Sequence, residues 1–226
     1  MQRKILSRDN NYITNLPESI TETIIIKLPL KDAVRTIGID PIELQNLISS
    51  CPALKSLNIS NYDSLELTIR APNLKFLTLE GNTFGKTDLK YQQLKVIDLS
   101  QVSFDTMKEI MVLLRLILNA PNLEELQIAG SSDSSSATKA PDLGFWEKQC
   151  RFDLTFDQLK TVKMMEMFGV PHEVGFIGFL LGNSPLLETM SITPSVYMTK
   201  DRFSFLIQLT KLKRRPTEAE MIFVQS

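Results

Sequence analysis

The sequence predicts an α/β solenoid built on one parallel sheet, and three observations predict it. One apolar phrase recurs along the chain, prolines punctuate its copies, and the stretches between copies change from short to helix-bearing. With 226 residues, 43% of them hydrophobic, the chain is long enough to bury a core.

The phrase is read most easily in Cys51-Pro-Ala-Leu-Lys-Ser-Leu-Asn-Ile59, Ala71-Pro-Asn-Leu-Lys-Phe-Leu-Thr-Leu79 and Ala120-Pro-Asn-Leu-Glu-Glu-Leu-Gln-Ile128. Further copies start at Tyr91, Phe156 and Ser184. Each copy is apolar at its fourth, seventh and ninth positions. The anchors are Leu54, Leu57, Ile59; Leu74, Leu77, Leu79; Leu94, Ile97, Leu99; Leu123, Leu126, Ile128; Leu159, Val162, Met164; and Leu187, Met190, Ile192. The last two anchors of a copy lie two residues apart, so they share one side of a short strand. The first sits on the turn that enters it, and a preceding proline stops any helix there. No single unit can bury such a face, so neighbours must stack and extend one sheet. This is the pattern of leucine-rich repeats, expected over residues 41–129.

The intervals then assign the other side of the solenoid. The first copies start 20 residues apart, which leaves no room for a long helix, and Ser64–Ile69 alternates like a return strand. Later intervals of 29, 36 and 28 residues hold helical patterns. One opens at Ser103-Phe-Asp105, with Met107, Ile110, Met111, Leu114, Ile117 and Leu118 at helical spacing. Others are expected over His172–Leu181 and Asp201–Lys213, and a shorter one over Pro41–Ser50. The convex side is thus predicted as mixed strand and helix. Gly130–Asp142, small and polar, reads as a flexible loop, and Glu218–Gln225 as a final strand at the sheet edge.

Composition narrows the function. A net charge of −1 and a pI near 6.0 do not mark a nucleic-acid or anionic-membrane binder. No run approaches the ~20 apolar residues of a membrane span. The N-terminus lacks the apolar region of a signal peptide. Two distant cysteines, Cys51 and Cys150, suggest a reduced, intracellular protein of the cytoplasm or nucleus.

Catalysis finds little support. The single histidine, His172, is expected as an exposed helix-end residue. Cys150 stands near Lys148 and Arg151 but has no histidine partner in view, and Cys51 belongs to a repeat turn. Gly81-Asn-Thr-Phe-Gly85-Lys86-Thr87 is one residue short of a phosphate-binding loop and reads as a turn. Lys211-Leu-Lys213-Arg214-Arg215 reads as a solvated helix end. The expectation is a binding protein, not an enzyme, with no cofactor and no metal. Its target would meet the x positions of the strands: Ser56, Asn58, Phe76, Thr78, Val96, Asp98, Glu125, Gln127, Thr161 and Lys163.

Two segments carry a family resemblance. Ile13–Thr36, with Leu16-Pro17, then Ile20 and Ile24, then Leu28-Pro29 and Lys31-Asp32-Ala33-Val34, resembles the first part of an F-box. Residues 156–225, with Gln158-Leu-Lys-Thr-Val162 and Phe179-Leu-Leu-Gly-Asn-Ser-Pro-Leu-Leu-Glu188, resemble the FBD module. With the repeats, the chain resembles plant F-box/FBD/leucine-rich-repeat proteins over most of its length. That resemblance implies a substrate receptor of an SCF-type ubiquitin ligase. Leu16, Pro17, Ile20, Ile24, Leu28, Pro29 and Val34 would dock a Skp-family adaptor, and the repeats would hold a protein target. The residues themselves agree in kind, because Ile20, Ile24 and Leu28 recur every four positions and form an apolar stripe suited to a partner groove. The same stripe would also cap a solenoid. The pattern departs from the family where Arg35-Thr36 passes straight to Ile37-Gly-Ile-Asp-Pro41 and the first repeat, with no third F-box helix; the only tryptophan is Trp146. A shortened member with a partial F-box (residues 13–36) is therefore expected. An adaptor-independent scaffold or decoy, and a repeat protein that regulates an enzyme such as a small GTPase, are the alternatives.

Overall fold

A computed structural model describes residues 45–46, 48–51, 53–59, 69–80, 90–105, 107–131, 144–149, 155–198, 202–216 and 218–224. Seven strands form one all-parallel sheet in strictly sequential order. They are β1 (Ser56–Ile59), β2 (Phe76–Glu80), β3 (Val96–Ser103), β4 (Glu125–Ser131), β5 (Thr161–Met167), β6 (Thr189–Pro194) and β7 (Glu220–Phe223). Four helices intervene: α1 (Met107–Leu118) after β3, α2 (Gly144–Gln149) after β4, α3 (Pro171–Asn183) after β5 and α4 (Arg202–Thr210) after β6. The expected α/β solenoid of leucine-rich-repeat type is what the chain adopts.

The strand alternation explains the sheet. In register, Leu57, Leu77, Ile97, Leu126, Val162 and Met190 form one ladder, and Ile59, Leu79, Leu99, Ile128, Met164 and Ile192 form the next. All eighteen expected anchors are buried in one continuous core. The residues between them stand on the other face, which stays half-exposed. The apolar face of the sheet has to be covered, and from α1 onward the helices supply the cover. In α1 the buried residues are Ile110, Leu113, Leu114, Leu116 and Ile117, while Leu118 is exposed. The helix is therefore turned slightly from the face that spacing alone suggested.

Two strands bend at equivalent places. Gln101 in β3 and Glu166 in β5 both have positive φ, 63° and 55°, and the register shifts on either side of them. After each bend the strand turns into a helix whose first-turn glutamate accepts the freed backbone N–H groups. Ser103 N–H donates to Glu109 Oε2 at 3.0 Å. The Glu173 carboxylate takes the N–H groups of Phe168, Gly169 and Val170, the shortest being 2.6 Å from Gly169. Val170 has no side-chain oxygen with which to cap α3, so Glu173 reaching back to it is the half of a capping box that remains. Burial pushes the Glu173 carboxyl up to about 7, against those N–H bonds, with the Asp105 charge adding to the rise. Gly130 in β4 lies against the β5 bend, where a Cβ would stand 2.7 Å from the Glu166 carbonyl oxygen.

Several expectations need correction. His172 is not exposed at a helix end. It is 5% exposed, and its Nδ1 accepts a hydrogen bond from Trp146 Nε1 at 3.0 Å. The cause is α2, which lays Trp146 over α3 against Phe176, Phe179 and His172. Gly175 makes room for it, since a Cβ there would meet the indole at 2.2 Å. The helix expected at His172–Leu181 runs longer, from Pro171, where a proline suits the first turn, to Asn183. The helix expected at Asp201–Lys213 ends at Thr210, and tighter bonds from Lys211 N–H to Gln208 O and Leu212 N–H to Leu209 O close it. The basic run therefore follows α4 instead of ending it. Gly130 and Ser131 continue β4 instead of opening a loop. Cys51 is half-buried against the core. The partial F-box, the return strand at residues 64–69 except Ile69, the turn at residues 81–87, Cys150 and residues 132–142 of the expected loop lie outside the described residues.

Candidate protein-interaction surface

The face of the sheet opposite the helices is a ruled surface, because a parallel register brings equivalent positions of successive strands side by side, ~4.8 Å apart. One row reads Ser56, Phe76, Val96, Glu125, Thr161, Thr189, Glu220. The next reads Asn58, Thr78, Asp98, Gln127, Lys163, Ser191, Ile222. All ten expected target-facing residues lie in these two rows. None of them is buried, and Phe76 is the most open large apolar residue among them, at 48%. Thr189, Ser191, Glu220 and Ile222 extend the same rows.

The middle of the face is held by charge. Glu125 Oε1 accepts from Lys163 Nζ at 2.7 Å and from Gln127 Nε2 at 2.8 Å, bridging β4 to β5. Asp98, one strand away, is held above the usual carboxylate range, first by burial and then by the Glu125 charge, with Lys163 opposing both. A third row, one residue before the first, reads Lys55, Lys75, Lys95, Glu124, Lys160, Glu188, tied together by backbone bonds such as Lys75 N–H to Lys55 O at 2.8 Å. Lys95 Nζ pairs with Glu124 across the step from β3 to β4. The described residues hold no group of three or more His, Cys, Asp or Glu side chains able to bind a metal ion. No described helix is long and apolar enough to cross a membrane.

Comparison with known proteins bears on this surface. The FBD family model matches residues 157–192, which run from the turn before β5 through α3 into β6. The FBD match is thus one strand–helix–strand unit of the solenoid. An F-box/FBD/LRR-repeat protein of Arabidopsis thaliana is 29% identical over 248 aligned positions, covering 82% of this chain. The chain is similar to a plant F-box/FBD/leucine-rich-repeat protein. It spans 59% of the length of that curated relative. No solved structure matches it. The residues expected to meet an adaptor, Leu16, Pro17, Ile20, Ile24, Leu28, Pro29 and Val34, lie outside the described residues.

Proposed function

We propose that the protein is a substrate-recognition subunit of an SCF-type ubiquitin ligase, acting in the cytoplasm or nucleus. In this reading the N-terminal Leu16-Pro17…Leu28-Pro29 segment docks a Skp-family adaptor, and the open sheet face holds the protein to be ubiquitinated. The observation that carries it is the contrast between the two faces. Inward positions repeat one chemistry, while outward positions change from strand to strand among aromatic, amide, acid and base. A surface built that way binds one shape and charge pattern, and it needs no cofactor or metal to do so. The Arabidopsis relative carries F-box in its name.

Two measurements test the two ends of the proposal. Retention of a purified Skp-family adaptor is expected, and Ile20→Asp with Ile24→Asp should abolish it while the repeats keep their circular-dichroism melting curve. No retention at tens of micromolar, about −6 kcal/mol, would leave the scaffold or decoy reading, which the passage from Arg35-Thr36 straight into the first repeat favours. For the target, Phe76→Ala with Glu125→Ala should remove capture while costing less than about 1 kcal/mol of stability through the lost Glu125–Lys163 pair. Unchanged capture would move the site off the sheet face.

A further inference from the structure

The middle of the open sheet face gives the target a chemistry. We infer that the target protein docks an arginine at Asp98, its guanidinium on the carboxylate and against the Phe76 ring. This site rests on the sheet-face reading above and specifies what that face selects.

From β2 to β5 the two outward rows carry two carboxylates, Asp98 and Glu125, and one ammonium, Lys163. The donors on this part of the face go to Glu125. Its Oε1 accepts from Lys163 Nζ at 2.7 Å and from Gln127 Nε2 at 2.8 Å. Gln127 is the register partner of Asp98, yet its amide turns to Glu125 on its own strand. Among the described residues, none donates a hydrogen bond to the Asp98 carboxylate or forms an ion pair with it. That carboxylate stands half-buried between Thr78 and Gln127. Burial and the Glu125 charge both work against its ionised form, and Lys163 offsets only part of this. A cation with N–H donors would relieve the repulsion and replace the hydration lost on burial. The surroundings select which cation. Phe76 lies two residues before Thr78, the register partner of Asp98, so it is a diagonal neighbour about 7–8 Å away. It is also the most exposed large apolar side chain on the face. Val96, paired with Phe76 and two residues before Asp98, completes an apolar bed for a methylene stem. A guanidinium is planar, matches a carboxylate with paired N–H groups and stacks on an aromatic ring. An ammonium has neither the fork nor the plane. An acidic or neutral segment would leave Asp98 without a partner.

The test uses the isotopically labelled full chain, whose amide resonances are followed as a short serine–leucine peptide with one central arginine is added. A second peptide carries citrulline there, the neutral isostere, and a third carries lysine. The arginine peptide is expected to shift the amides of Phe76 and Asp98 and to bind at least fivefold more tightly than the citrulline peptide. Lysine should fall between them, and lysine equal to arginine would overturn the stacked guanidinium. Asp98→Asn should bring the arginine peptide down to the affinity of the citrulline peptide. Its melting point should equal or exceed the parent's, because a charge beside Glu125 goes and no bond is lost with it. A lowered melting point would make Asp98 a structural residue and overturn the site. Glu220→Gln, which removes the same charge from the far end of the face, should cost less than twofold. Equal losses in the two variants would mean diffuse attraction and would overturn the inference, as would equal binding of the arginine and citrulline peptides or none of either. Dimerisation of the chain that Asp98→Asn abolishes would put a second copy on the face and overturn the choice of occupant. Target capture that survives Asp98→Asn but not Phe76→Ala with Glu125→Ala would sink the arginine site and leave the sheet face standing. Arginine binding at Asp98 with capture indifferent to Phe76 and Glu125 would instead sink the sheet-face reading.

Discussion

The two halves of the solenoid reach the same sheet by different means. Around β1 to β3 the repeats are short, and among the described residues the burial comes mostly from the anchors and from turn residues such as Ala71 and Tyr91. The Tyr91 hydroxyl donates to the Ile69 carbonyl at 2.9 Å, and burial raises its pKa. From α1 to α4 helices cover the sheet, and an aromatic cluster of Phe104, Trp146, Phe156, Phe176 and Phe179 fills the space beneath them. The second half therefore holds the larger side chains and the buried polar network of His172 and Glu173. The first half holds the lysine row. The aromatic packing is thus concentrated at one end of the described solenoid.

That contrast can be broken at its core first. Leu126→Asp, at the junction of the halves and fully buried, would place an unpaired carboxylate in the shared core. Destabilisation of several kcal/mol is expected, or forced protonation, on the scale of the most damaging core substitutions. A melting point within a degree or two of the parent would refute the continuous core. Next in size is Gly175→Ala, which drives a methyl into the Trp146 ring and should cost about 1–3 kcal/mol. It should also move the emission of the chain's one tryptophan to longer wavelength. Gly182→Ala, on the same helix with nothing within 4 Å, is the control and should be neutral or stabilising by up to ~1 kcal/mol. If both alanines behaved alike, the docking of α2 on α3 would be wrong.

Acidity gives a third comparison. Glu173 titrates near 7 in the folded chain and near its ordinary value of 4.5 when unfolded. The folded state then binds the extra proton, so this group's contribution is complete below about 4.5 and is lost as pH rises through about 7. The difference in melting point between parent and Glu173→Gln should accordingly shift against the parent from pH 5 to pH 8. A shift in the parent's favour would reverse the assigned direction. The smallest effect belongs to the first half: Lys95→Ala removes a half-exposed ion pair with Glu124 and should cost less than about 1 kcal/mol. A larger loss would show that the lysine row helps to hold the sheet.

Which features were legible in the sequence follows the same division. The anchors, the strand order and three of the four helices could be read because each is a local period, and repetition raised it above chance. The helix α2 could not be read. Its six residues are too short to show a period, and its place is set by Trp146 finding the gap at Gly175, some thirty positions away. His172 was misread for the same reason, since what buries it comes from another part of the chain. The bends at Gln101 and Glu166 left no composition signal, because neither residue is a glycine. Only their equivalent places in two strands reveal them. On the outward face the x positions were found by alternation alone. Lys55, Lys75 and Lys95 were visible as letters, but their meaning as a row needed the register.

Strand order has a consequence for how the chain is made. Each strand pairs only with the ones before and after it in sequence, and paired positions lie 20 to 36 residues apart, from Leu57 with Leu77 to Leu126 with Val162. Closing the longer of these segments costs only about 0.5 kcal/mol more than closing the shorter. No pairing waits for a distant part of the polypeptide. On a ribosome, each repeat can dock on its predecessor as soon as it leaves the exit tunnel, so the protein can be assembled like a wall, course by course, in the direction in which it is translated.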